Sequence, residues 1–95
     1  MPASIEGGRV TISILFHSGC PHARQAVELV HRCVARLGIA IPVHEYEGDH
    51  ASPTVLVNGL DVMGHPPPLG RTCRLDMPTE ARVLDALRHA SDETL

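Results

Sequence analysis

The chain has 95 residues and a formal net charge of −3 with histidine neutral, so we expect one small domain over residues 1–95. Apolar residues make up 43% of the chain and charged residues 20%, which is typical of a globular protein and argues against intrinsic disorder. The lack of a Lys/Arg block, with one Phe, one Tyr and no Trp, argues against nucleic acid as a partner. No apolar run approaches the roughly 18–20 residues that cross a bilayer, so no membrane association is expected.

The two ends of the chain are predicted to be flexible, at residues 1–8 and 91–95. Residues 1–9 carry neither the basic n-region nor the apolar h-region of a secretion signal, so we expect a cytoplasmic protein. In that reducing compartment, the three cysteines are expected to be buried, reactive or metal-binding rather than a disulfide framework.

The first half of the chain predicts a β-α-β unit. Residues 10–16 (VTISILF) are rich in β-branched and apolar side chains, which indicates a buried strand. Residues 21–37 predict a helix, with Pro21 at its first position and Gly38 as its stop. Residues 39–47 predict a second strand, joined to the first by a right-handed crossover. The predicted core positions are Val27, Val30, Val34 and Leu37 on the helix and Ile41, Val43 and Tyr46 on the second strand.

The second half of the chain predicts a β-β-α unit. Asn58-Gly59 is a strong hairpin signal because both residues tolerate positive φ. Three consecutive prolines, at 66–68, indicate a loop. The predicted segments are a polar loop at 48–52, a strand at 54–57, a returning strand at 60–63, a loop at 64–72 and a helix that opens at Pro78 and buries Val83, Leu84, Leu87 and Ala90.

Three stretches resemble thioredoxin-like proteins. Residues 16–22 (FHSGCPH) resemble their strand end and Gly-Cys-Pro helix start, and residues 52–59 (SPTVLVNG) resemble their cis-proline loop and hairpin. Residues 73–80 (CRLDMPTE) are similar to a set of short bacterial thioredoxin-like proteins, some of which are labelled as relatives of alkylmercury (organomercurial) lyases. The resemblance covers residues 10–90. It implies an α/β, truncated thioredoxin-like fold of order β-α-β-β-β-α, with a mixed four-stranded sheet and the second helix missing.

Cys20 is the strongest candidate for chemistry. It lies where a strand meets a helix N-terminus, and the unpaired N–H groups and the dipole there favour the thiolate. His17 and His22 are close enough in sequence to add positive charge or take a proton. Thioredoxins use Cys-x-x-Cys, but Ala23 stands at the second cysteine position, so Cys20 has no partner within its own motif. The alternative to a reactive Cys20 is that this cysteine is only a small residue tolerated at a tight turn.

A substrate-binding role follows from the resemblance for the residues around Pro53. In the fold that the sequence resembles, the Ser52–Pro53 bond is cis and lies opposite the helix-start cysteine. Ser52, Pro53 and Thr54, together with His17, are therefore the expected substrate-binding residues. The alternative is an ordinary trans proline that opens a strand.

Cys73 follows the proline-rich loop, and its role is open between three readings. The first reading is a disulfide with Cys20, and the second is a site shared with Cys20 for a soft metal ion such as mercury or copper. The third is a buried structural cysteine. Cys33 lies on the apolar stripe of the first helix and is expected to be structural. A zinc site would need the set His17, Cys20, His22 and Cys73, whose spacing is not that of structural zinc sites.

The remaining titratable residues have weaker assignments. Asp76 is either a proton donor near Cys73 or, more in keeping with its place before Pro78, a helix cap. Asp61 is the other carboxylate near the candidate site elements. The histidines expected to be exposed are His44, His50, His65 and His89.

Three functions are compatible with these residues. The first is thiol redox or thiol transfer, in which Cys20 attacks a small thiol, disulfide or electrophile and Cys73 or an external thiol resolves the intermediate. The second is mercury binding or alkylmercury-lyase-like activity through Cys20 and Cys73. The third is a non-catalytic accessory module that binds a partner protein at its sheet edge and at the Pro66–Pro68 loop. No resident cofactor is expected, and the uncovered edge strand is compatible with a monomer or a dimer.

Overall fold

The computed structural model describes residues 10–38, 40–74 and 76–93, and it has the predicted α/β architecture with two helices and a mixed four-stranded sheet. The elements are β1 (Ile12–Phe16), α1 (Ala23–Leu37), β2 (Val43–Glu47), β3 (Ala51–Ser52), β4 (Thr54–Val57), β5 (Leu60–Asp61), β6 (Thr72–Cys73) and α2 (Glu80–Glu93). Of the predicted flexible ends, residues 1–8 lie outside the described residues, whereas residues 91–93 continue α2.

The four-stranded sheet has the order β2-β1-β4-β5. Strand β1 pairs in parallel with β2 and antiparallel with β4, and β4 forms a hairpin with β5. The predicted Asn58-Gly59 turn is confirmed, because Asn58 has φ of 52° and Gly59 has φ of 84°. The returning strand is shorter than predicted, since the Met63 N–H donates to Asp61 Oδ1 and turns the chain away.

The core lies on one face of this sheet, where both helices pack. Ile12 and Ile14 of β1 are fully buried in one cluster with residues from both helices. Because strand side chains alternate between faces, Ser13 and Leu15 lie on the opposite face. The core positions predicted for α2 are confirmed as buried: Val83, Leu84, Leu87 and Ala90.

Helix α1 begins two residues later than predicted. His22 is its N-cap residue, because the first helical hydrogen bond runs from the Ala26 N–H to the His22 carbonyl, so Pro21 precedes the helix. Gly38 ends it in the left-handed conformation, with φ of 70°, as predicted. The most buried positions are Ala26, Leu29, Val30 and Cys33, and the remaining predicted positions Val27, Val34 and Leu37 border the core.

Two predictions about strands are wrong. Tyr46 does not face the core but is 48% exposed, because its register with Leu15 places it on the sheet face away from the helices. The segments predicted as loops at 48–52 and 64–72 contain β3 and part of β6, which form a separate two-stranded parallel ladder. Strands of two residues carry no periodicity, so only the tertiary pairing reveals them.

The second helix begins at Glu80 rather than Pro78. The Thr79 hydroxyl accepts a hydrogen bond from the Arg82 N–H at 3.2 Å, so Thr79 is the residue that caps it. The expectation that Asp76 caps this helix is therefore wrong. Neither α1 nor α2 has the length and apolar character that a membrane-spanning helix needs.

Candidate active site

The two cysteines singled out from the sequence meet in space. Cys20 Sγ and Cys73 Sγ are 3.6 Å apart although the residues are separated by 53 positions, and both thiols are free. Cys20 is half-buried and Cys73 is exposed, so the reading of Cys73 as a buried structural cysteine is wrong. A disulfide bond requires about 2.0 Å between sulfurs, so these thiols are in contact but not joined.

A tight turn delivers Cys20 from the end of β1 to the start of α1. The Cys20 N–H donates to the His17 carbonyl at 3.3 Å, which closes the turn. Gly19 within it has φ of 87°, in the left-handed region that favours glycine. The turn brings the backbone N–H groups of His22 and Ala23 close enough to the Cys20 sulfur to lower the pKa of its thiol. The Ala23 N–H also donates to the Cys20 carbonyl at 3.4 Å, whereas the first N–H groups of a helix have no partner within the helix itself.

Opposing effects act on the pKa of Cys20, and the balance lowers it. Burial disfavours the charged form and would raise the pKa, but polar hydrogens close to the sulfur outweigh it. The groups that lower the pKa are the nearby Ser52 hydroxyl, the His22 N–H, the Cys73 thiol and the Ala23 N–H, in order of decreasing effect. Cys20 is therefore the thiol that ionises first.

The pKa of Cys73 moves in the opposite direction. Its thiol proton is held by the hydrogen bond to Cys20, and desolvation and the negative charge on Cys20 raise the pKa further. The pair thus shares one proton in its first ionised state, with a thiolate on Cys20 and a thiol on Cys73. The two sulfurs therefore differ in how readily they ionise.

The predicted cis peptide bond is present at Ser52–Pro53. Ser52 and Pro53 lie beside the thiols, since Ser52 is paired in register with Cys73. Ser52 is fully buried, and its hydroxyl makes no hydrogen bond of normal geometry within the described part of the chain. It is nevertheless close enough to the Cys20 sulfur to lower its pKa. A buried hydroxyl with no other partner is available to stabilise a thiolate there.

The two histidines expected at the site are placed differently from each other. His17 Nδ1 lies 3.1 Å from the Ser18 carbonyl, and its Nε2 is buried without a hydrogen-bond partner among the described residues. His22 makes no side-chain cap bond, and it acts on Cys20 through its backbone N–H. Within residues 10–38, 40–74 and 76–93, no three His, Cys, Asp or Glu side chains come together as a metal site.

A buried arginine beside Cys73 is the part of the site that the sequence did not indicate. The Arg74 side chain is 1% exposed and pairs with Asp61 at 2.8 Å and with Asp76 at 2.6 Å. Its Nη1 also donates to Thr54 Oγ1 at 3.1 Å. Thr54, expected to bind substrate, is buried and directs its hydroxyl into this cluster. The sequence did contain a signal for this cluster, since a charged residue directly follows a candidate cysteine and two aspartates lie nearby in the chain.

A second arginine connects the proline-rich loop to the Cys20 turn. Arg71 Nη2 donates to the Ser18 carbonyl at 3.0 Å. The contact joins the segment that carries Cys73 to the turn that carries Cys20. Together with the β3–β6 ladder, it holds the segments that carry the two thiols next to each other.

No protein-family model matches the chain, and no curated protein is significantly similar to it in sequence. The functional assignment therefore depends on the chemistry of the thiol pair and of the groups that surround it.

Proposed function

We propose that this protein is a thioredoxin-like dithiol protein that exchanges disulfides, with Cys20 as the nucleophile and Cys73 as the resolving thiol. The observation that carries the proposal is the 3.6 Å separation of the two sulfurs. The truncated thioredoxin-like fold is supported by the β-α-β and β-hairpin-α order and by the cis Ser52–Pro53 bond beside Cys20.

The proposed reaction has two steps. The Cys20 thiolate attacks one sulfur of a substrate disulfide, forms a mixed disulfide and releases the first substrate thiolate. Cys73 then loses its proton and attacks the Cys20 sulfur, which forms the Cys20–Cys73 disulfide and releases the second thiolate. The substrate gains two electrons, the protein loses two, and the two thiol protons end on the released thiols. An external thiol or dithiol returns the protein to its reduced state.

The pKa values of the two thiols favour this order of attack. The lowered pKa of Cys20 leaves more of this thiol ionised at neutral pH than of Cys73, whose raised pKa favours its protonated form until the mixed disulfide has formed. Once Cys20 is in the mixed disulfide, its negative charge and its acceptor role are lost. The pKa of Cys73 then falls towards its ordinary value, so Cys73 becomes a better nucleophile for the second step.

Cys73 takes the place of the second cysteine of a Cys-x-x-Cys motif in this proposal. Ala23 occupies that motif position, so a single-motif dithiol cycle is excluded. The partner thiol is supplied from β6, across the β3–β6 ladder, instead of from helix α1.

Glutathione disulfide is a suitable probe for this mechanism. The wild-type protein is expected to form the Cys20–Cys73 disulfide, and Cys73→Ser is expected to accumulate a glutathione adduct on Cys20, both detected by mass spectrometry. Cys20→Ser should form neither product, and Cys33→Ala is the control that should behave as wild type because Cys33 is buried in the core. A wild-type protein that forms no Cys20–Cys73 disulfide, or a Cys20→Ser variant oxidised as fast as wild type, contradicts the proposal.

Soft-metal binding is a second candidate, favoured by two adjacent thiols of which Cys73 is exposed. Mercury(II) or copper(I) accepts two thiolates, and no third ligand converges on the pair within the described residues. Cleavage of a carbon–mercury bond fits less well, because the acid needed to protonate the carbon is not available from Asp76. Hydrogen bonds from Arg74 hold the pKa of Asp76 below its usual value, so its carboxylate is ionised at neutral pH.

Mercury(II) titration separates these two functions. If the thiol pair binds the ion, Cys73→Ala should weaken the affinity strongly, because one of two thiolate ligands is lost. Equal affinity in wild type and Cys73→Ala contradicts a two-thiol metal site. A protein that neither exchanges disulfides nor binds the ion would instead favour the third function, a binding module acting at the exposed β2 edge.

A further inference from the structure

We infer that Arg74 is a positioning residue that holds Cys73 within reach of Cys20. The inference rests on the proposed function, because it concerns the resolving step of disulfide exchange. Arg74 touches neither sulfur in the described contacts. It acts through the backbone of the residue that precedes it.

The strand that carries Cys73 has little support of its own. β6 has two residues and pairs with β3, which also has two. The segment before β6 runs from residue 62 to 71 without regular structure and includes three consecutive prolines. A ladder of two rungs at the end of a long loop is too short to fix a side chain by itself.

Arg74 supplies the support that the ladder lacks. Its backbone N–H donates to the Ser52 carbonyl at 2.7 Å, which extends the β3–β6 contact beyond Cys73. Its side chain reaches across the sheet to Thr54 on β4 and Asp61 on β5. The residue next to Cys73 is thus anchored to two strands of the main sheet.

This arrangement depends on the several donors that the planar Arg74 guanidinium presents at once. Nε and Nη2 donate to the two oxygens of Asp76 at 3.0 and 2.6 Å, while Nη1 donates to Asp61 at 2.8 Å. A lysine could keep one charge contact but could not make this bidentate bond and reach Asp61 together. Arg74→Lys therefore keeps the positive charge but cannot make the bidentate hydrogen bond to Asp76 and the contact with Asp61 together.

The test measures the effective concentration of Cys73 at Cys20, obtained from the equilibrium between the dithiol protein and glutathione buffers. Arg74→Lys and Asp76→Asn are each expected to lower this effective concentration at least about tenfold. Asp76→Asn is the milder variant, because it leaves the buried Arg74–Asp61 pair intact, and it keeps the test decisive if Arg74→Lys does not fold.

Three control variants separate positioning from general stability. Arg36→Lys alters an exposed arginine that pairs with Glu80, and Asp85→Asn removes an exposed carboxylate from α2. Leu87→Ala opens a cavity in the core and lowers stability without touching the site. At temperatures where each variant is folded, all three should keep the effective concentration within about twofold of wild type.

The second readout is the pH profile for alkylation of Cys20. Displacement of Cys73 removes a hydrogen bond that lowers the pKa of Cys20, so the profile of Arg74→Lys should move to higher pH. Wild-type values of both quantities in Arg74→Lys and Asp76→Asn would overturn the inference. If wild type itself forms no Cys20–Cys73 disulfide, the proposed function fails, and the alkylation profile alone decides the role of Arg74.

Discussion

Arg74 Nη1 lies 2.8 Å from Asp61 Oδ2, and both side chains are 1% exposed. Two charges removed from water to this extent lose hydration energy that only good geometry and further hydrogen bonds can offset. Both conditions are met here, since the same guanidinium also bonds Thr54 and Asp76. Arg74 directly follows Cys73, which carries the second thiol of the proposed active site.

Removal of one partner from this pair is expected to be costly. Arg74→Met should lower the free energy of unfolding by about 3–5 kcal/mol, because it leaves Asp61 buried without a cation. Urea unfolding followed by circular dichroism measures the loss. The double variant Arg74→Met/Asp61→Leu removes both charges and should recover a large part of it. A loss below about 1 kcal/mol in the single variant would show that the pair is not needed for stability.

Alkylation at low pH is expected to distinguish the two thiols. At pH 6, iodoacetamide should modify Cys20 at least about tenfold faster than Cys73, because the lowered pKa leaves more of Cys20 as thiolate. Rates at each cysteine are read by peptide mass spectrometry over a range of pH. Cys73→Ala removes one donor to the Cys20 sulfur, so the half-maximal rate should move to higher pH in that variant. Equal rates at both cysteines would contradict the proton distribution described above.

Oxidation is expected to stabilise the fold. A disulfide between thiols 53 positions apart restricts the unfolded chain by up to about 4 kcal/mol, so the melting temperature should rise by about 10 °C or more. Thermal melts of the reduced and glutathione-oxidised protein give the difference. Cys73→Ser cannot close this loop and should show no such rise, although glutathione modifies its Cys20. An oxidised wild type that melts no higher than the reduced form would mean that closing the bond strains the site.

Cys33 is expected to matter for stability and not for thiol chemistry. It is fully buried in the core, and burial, with a further effect from the Glu80 charge, raises the pKa of its thiol. Cys33→Ser places a hydroxyl in apolar surroundings and should cost about 1–3 kcal/mol of unfolding free energy. The alkylation rate of Cys20 at pH 6 should not change. A slower rate in the folded Cys33→Ser variant would show that α1 transmits core changes to the site.

Sequence patterns that span a few neighbouring residues predicted several helices, strands and turns of this fold. The β-branched run of β1, the apolar stripe of α1 and the Asn58-Gly59 turn each depend on neighbouring residues, and each lies close to where its pattern predicts it. The Gly-Cys-Pro sequence likewise places Cys20 at a helix start, where backbone donors favour its thiolate. The resemblance to thioredoxin-like proteins added the cis bond at Ser52–Pro53.

The sequence by itself therefore determined the position of one candidate thiol at a predictable β-α junction, because short-range propensities and periodicity act within a few residues. Only the tertiary structure decided that Cys73 joins it. That contact depends on two-residue strands that carry no pattern of their own and on Arg74, whose burial is set by carboxylates brought to it from β5 and from its own loop. Interactions across 53 positions arise from the packing of the whole chain, and local sequence cannot specify them.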